Sequence, residues 1–125
     1  MEAADSQYKG MDTAAIPCIL VYAYIQTGML EEIPFRGFLL KRLASKFGFV
    51  KGNIIQAAIF GVTHFLMVWG NTDFIAGTVI VIYPIIVAIA LSYINERISD
   101  GSILPSWVIH GLLNTVEGIS MALLR

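Results

Sequence analysis

Residues 74–94, "FIAGTVIVIYPIIVAIALSYI", contain no side chain that is charged at neutral pH. At about 1.5 Å per residue the run is long enough to cross a hydrocarbon core of roughly 30 Å. Hydrocarbon offers the backbone no hydrogen-bond partners, so a single run that crosses it has to be a helix. Pro84 lies inside and predicts a kink rather than a break, since neighbouring helices can satisfy the freed carbonyl.

The rest of the chain agrees with a membrane setting. It is 57% hydrophobic and only 14% charged, against roughly 25% charged residues in soluble domains. Each charge inside an apolar segment is therefore informative. The net charge of -1, with no basic cluster interleaved with aromatics, gives nucleic acid no footing as a partner. Cys18 is the single cysteine, which excludes an intramolecular disulfide and a thiolate metal site. Residues 1–12 are mostly polar, carry Glu2, Asp5 and Asp12, and lack the basic start and apolar centre of a signal peptide. They read as a short N-terminal tail.

Three further spans join the first. Approximate limits for the four are 13–33, 53–69, 74–94 and 103–124, with no strand signal. The expected fold is an all-α membrane protein, a bundle of four transmembrane helices joined by short connections, so consecutive helices pack antiparallel. Pro105 suits the opening turn of the last span, with Ser102 as a cap and Asp100-Gly101 as the turn before it. After Pro34, "PFRGFLLKRLASKF" repeats Phe35, Phe38, Leu39, Leu43 and Phe47 at helical spacing, with Arg36, Lys41, Arg42 and Lys46 on other faces. A straight helix from 13 to 47 would be roughly 50 Å long, too long for one span. Pro34 removes a hydrogen bond to the Leu30 carbonyl, so the first helix is expected to bend there. Its amphipathic basic extension then slants towards the headgroups. Lys41, Arg42, Lys46 and Lys51 share one side with Arg97, and the positive-inside rule puts that side in the cytoplasm.

Against this background three polar groups stand out. Glu31, Glu32 and Arg36 interrupt the end of the first span, with Glu32 and Arg36 at the favourable i to i+4 spacing for a helical ion pair. A helix that persists through Pro34 lets Arg36 neutralise Glu32 and leaves Glu31 the less compensated acid. Taken singly, the group also reads as two interfacial acids and a snorkelling arginine. His64 lies four residues after Phe60 in the second span, and His110 and Asn114 share a face of the last. Either histidine alone is equally a hydrogen-bonded packing residue. Glu117 follows on nearly the same face as His110 and reads as a packing residue paired with another helix, or else as a second acid in the pocket. Counted from the basic end, Glu31, His64, His110 and Asn114 lie at comparable depth, roughly 10–20 Å in, so one polar pocket can hold them all.

A carboxylate, two imidazoles and a carboxamide are what peptide hydrolysis by activated water needs. The acid serves as general base, a histidine orients the water, and imidazole and amide donate to the oxyanion. The alternative is a zinc site held by Glu31, His64 and His110 with one open position. There is no HExxH helix, and no serine sits in a nucleophile elbow.

In chain order "EEIPFR", "FGVTH" and "HGLLN" match EExxxR, FxxxH and HxxxN. The pattern resembles the CPBP intramembrane protease family, also called Abi, which includes CAAX prenyl endopeptidases and bacteriocin-immunity proteins. The resemblance implies an integral membrane endopeptidase whose site opens to the cytoplasm and which cuts a membrane-associated or lipidated substrate. It implies that Glu31 activates water, His64 assists, His110 and Asn114 stabilise the oxyanion, and Glu32 and Arg36 support them. No cofactor is required in the preferred form of that chemistry, and zinc is the alternative. A non-proteolytic immunity or binding protein, or a proton or ion relay, would use the same residues differently. The bilayer is a partner in every case, and so small a bundle could also self-associate.

Overall fold

The computed structural model describes residues 13–123, and within them every regular element is helical. The expected tail, residues 1–12, lies outside the described residues, as does Leu124 at the end of the last expected span. A 3-10 turn, Thr13–Ala15, leads into α1, residues 16–47. Next come α2, Phe49–Val68, α3, Phe74–Ile98, and α4, Leu104–Leu123. Helices α2 and α3 are each long and apolar enough to cross a membrane. Helix α4 matches α2 in length, but His110, Asn114 and Glu117 dilute its hydropathy.

Helix α1 is one continuous element. It runs through Pro34 without a break, by widening its winding to π form over Tyr22–Met29 and again over Ile33–Leu39. The wider turn makes room for the pyrrolidine ring where α winding would clash with the preceding carbonyl. Glu31 and Glu32 sit in the short α-wound stretch, Leu30–Glu32, between the two π segments. Pro84 is likewise carried within a continuous α3.

Gly48, at φ 88°, turns the chain at once into α2, a conformation that side chains with a Cβ rarely adopt. The basic extension therefore packs back along the first turns of α2, while Arg42, Lys46 and Lys51 stay exposed. Lys41 Nζ reaches Glu96 Oε1 and the Gly101 carbonyl, each at 2.7 Å. Arg97 lies 4.5 Å from the Phe49 ring centroid. These contacts put the basic extension and the α3–α4 connection at one end, as expected.

Helices α1 and α4 pack antiparallel: Ala15 and Ile19 cluster with Ala122, and Trp107 Nε1 donates to the Tyr24 carbonyl at 2.6 Å. Their backbones approach closely because Gly28 and Gly111 leave space. A Cβ on Gly111 would collide with the Tyr24 ring, and one on Gly28 would lie 3.3 Å from Trp107 Cδ1. Helices α2 and α3 pair through polar contacts. Gln56 Nε2 donates to Ser92 Oγ at 2.9 Å, and Asn53 Nδ2 donates to the Ile89 carbonyl at 3.2 Å. Asn95, at the end of α3, accepts from the Ser106 backbone N–H at 3.1 Å and so caps the start of α4. Ser102 Oγ takes the Leu104 N–H at 3.2 Å.

Polarity is distributed inside out. Glu32, Arg36, Asn53, Gln56, Ser92, Asn95, Ser106 and His110 are buried, while Phe74, Ile75, Leu66 and Trp69 face outwards. Water would penalise that surface and hydrocarbon solvates it.

Candidate active site

Helices α1 and α4 meet in a ladder whose rungs are one helical turn apart. Residues 27 and 31 on α1 face 114 and 110 on α4, respectively. Their i to i+4 spacing on antiparallel helices brings the two pairs into register.

His110 is the centre of the lower rung. Its Nδ1 lies 2.6 Å from Glu32 Oε1 and its Nε2 lies 3.2 Å from Glu31 Oε2. Two successive residues thus grip opposite nitrogens of one ring. A neutral imidazole has a single N–H, so the ring can donate to both acids only as imidazolium; otherwise one carboxyl carries the shared proton. The two acids also differ in access. The Glu32 side chain is 0% exposed, whereas that of Glu31 is 32% exposed.

Arg36 completes the group. The helix continues through Pro34, so Arg36 Nη1 comes within 3.2 Å of Glu32 Oε1 while itself fully buried. The guanidinium lies 4.4 Å from the centroid of Phe60 on α2, an arrangement that stabilises a cation away from water. Phe60 also makes an edge contact with Phe35, at 4.9 Å. Its ring joins the two histidines: His64 packs on it at 4.5 Å and His110 at 6.4 Å.

The expected residues are therefore brought together to different degrees. Glu31, Glu32, Arg36 and His110 touch. Asn114 lies on the next rung, its Nδ2 donating to Thr27 Oγ1 at 2.8 Å. His64 packs against the group through Phe60. Its Nδ1–H donates to the Phe60 carbonyl at 2.8 Å, which leaves Nε2 as an acceptor. Among the described residues no three His, Cys, Asp or Glu side chains form a group that could hold a metal ion, so Glu31, His64 and His110 do not meet as zinc ligands. Glu117, expected to pair with another helix, is exposed and makes no ion pair among the described residues.

Two contributors escaped the sequence reading. Phe60 belongs to the second motif, yet its place beneath Arg36 depends on how α1 and α2 cross. Thr27 carries a usable signal, a hydroxyl one turn before Glu31 in an apolar run. A cleft of about 170 Å³ between α1 and α4, lined by Met29, Glu32, Ile33, Ile103, Leu104 and Trp107, borders the site.

The family model described as type II CAAX prenyl endopeptidase Rce1-like matches residues 13–116. That range takes in all three motifs, from Glu31 to Asn114, and agrees with the resemblance drawn from them. No curated protein and no solved structure matches the chain.

Proposed function

The chain belongs to the Rce1-like family of type II CAAX prenyl endopeptidases, and on that premise we propose that it hydrolyses a peptide bond of a lipidated, membrane-associated substrate through water activated by Glu31. The observation that carries this reading is the contrast between the two acids. Glu32 is sealed between Arg36 and His110, while Glu31 faces the same imidazole and keeps contact with the exterior.

The division of labour follows from that contrast. Arg36 and Glu32 form a fixed pair whose second task is to hold His110 by Nδ1, so that Nε2 points at Glu31. Glu31 is thereby held in a defined position while it keeps its contact with the exterior. Glu31 takes a proton from water as the oxygen attacks the substrate carbonyl. His64, with Nδ1 committed to the Phe60 carbonyl, offers Nε2 to orient that water. His110 Nε2–H and the Asn114 amide donate to the tetrahedral oxyanion. The Glu31 carboxyl then returns its proton to the leaving amine, which restores the resting state. No step calls for a metal.

All four helices cross the bilayer in this reading. The end bearing Lys41, Arg42, Lys46, Lys51 and Arg97 faces the cytoplasm, in keeping with the bias of basic residues. Lipid-borne substrate approaches laterally, and the apolar cleft at Met29, Ile33 and Leu104 is suited to its aliphatic groups.

The test is cleavage of a prenylated CAAX peptide by purified protein in liposomes, with the metal content determined on the same sample. Cleavage that persists after exhaustive chelation is expected. Stoichiometric zinc whose removal abolishes cleavage would overturn the mechanism, and a folded protein that cuts no prenylated peptide would overturn the function.

A further inference from the structure

We propose that Thr27 is a positioning residue for the reaction: its hydroxyl sets the orientation of the Asn114 carboxamide. The inference rests on the oxyanion role assigned to Asn114 and adds a residue that lies outside the three motifs.

The hydroxyl has one proton, and α1 claims it. Thr27 Oγ1 donates to the Tyr22 and Ala23 carbonyls, both at 3.2 Å. Those carbonyls belong to the π-wound segment Tyr22–Met29. Towards α4 the oxygen can therefore only accept. A carboxamide meeting an obligate acceptor must present its NH₂ edge, and Asn114 Nδ2 lies 2.8 Å away. Thr27 takes one of the two amide hydrogens and leaves the other for a substrate oxygen. With the hydroxyl gone, the amide is free to flip and point its carbonyl at the developing negative charge.

The rung is held at fixed separation. Gly28, next to Thr27, lies 3.3 Å from Trp107 Cδ1 by its would-be Cβ, and Gly111 seats the Tyr24 ring. The neighbouring rung, Glu31 to His110, shares the same two helices. Thr27 thus fixes a donor one turn from the candidate base.

The experiment is a kinetic double-mutant cycle on a prenylated CAAX peptide, using the full chain in liposomes. Loss of one oxyanion donor lowers kcat by about 10²–10³-fold, and loss of its orientation is expected to lower kcat about tenfold with KM unchanged. Thr27→Val is the isosteric variant, and Thr27→Ser restores most of the rate. If Thr27→Val does not fold, Thr27→Ala deletes the hydroxyl without adding a methyl group. In the Asn114→Ala background either substitution should change nothing further. Wild-type kcat in Thr27→Val, beside a slow Asn114→Ala, would overturn the proposal and leave the oxyanion reading intact. The same would follow if Thr27→Val slowed Asn114→Ala as much as it slows wild type. Wild-type kcat in Asn114→Ala would overturn the oxyanion reading itself.

Discussion

Replacing Arg36 by Met removes a guanidinium but keeps a long apolar side chain over Phe60, so it isolates the charge. At the observed 3.2 Å, and with an effective dielectric of about 20, the attraction between Arg36 and Glu32 is about 5 kcal/mol. Burial works against it: both side chains are fully buried, so part of this attraction offsets their desolvation. Breaking such a pair costs about 3–5 kcal/mol because the surviving charge is stranded. His110 stays 2.6 Å from the same carboxylate oxygen and continues to compensate it, which places the expected loss near the lower end, about 3 kcal/mol. The assay is the folded fraction of purified protein across a series of SDS mole fractions in mixed micelles. The companion is Glu32→Gln/Arg36→Met, which removes the stranded charge. It should be more stable than Arg36→Met by about 2 kcal/mol while remaining unable to cleave, since His110 has lost its charged anchor. An Arg36→Met protein within about 1 kcal/mol of wild type would refute this reasoning. So would a double variant no more stable than the single one.

Gly111→Ala should separate α1 from α4, because the new Cβ falls on the Tyr24 ring, which is held edge-on against Trp107. A stability loss of about 1–3 kcal/mol is expected, with cleavage reduced more than stability since the rungs of the candidate site span that interface; the same micelle titration and the peptide assay check it. Lys41→Met removes a half-exposed pair with Glu96, so it should cost less than about 1 kcal/mol and leave kcat within twofold of wild type.

Much of the site was legible in the residues, because a charge in an apolar run has few structural reasons to be there. The i to i+4 spacing of Glu32 and Arg36 already implied their pairing, and the expected sharing of one end by the basic residues follows the two hairpin turns. What could not be read was winding. Helical wheels assume one period, whereas α1 widens to π winding twice, on either side of Glu31 and Glu32. That widening accommodates Pro34, and the α-wound stretch between carries the two successive acids that meet one imidazole. The role of Asn114 was suggested by its motif, but its partner Thr27 depends on the register between the first and last helices, a long-range contact without local signal. For His64 the spacing to Phe60 was visible, and its hydrogen bond to that carbonyl was not.

Whether Glu31 rather than Glu32 activates water is decided by the single-turnover cleavage rate of Glu31→Gln on a prenylated CAAX peptide in liposomes. The substitution keeps shape and hydrogen bonding but removes the base. A rate at least about 10²-fold below wild type, in a protein with wild-type micelle stability, is expected. Cleavage by Glu31→Gln at the wild-type rate would contradict the role given to Glu31.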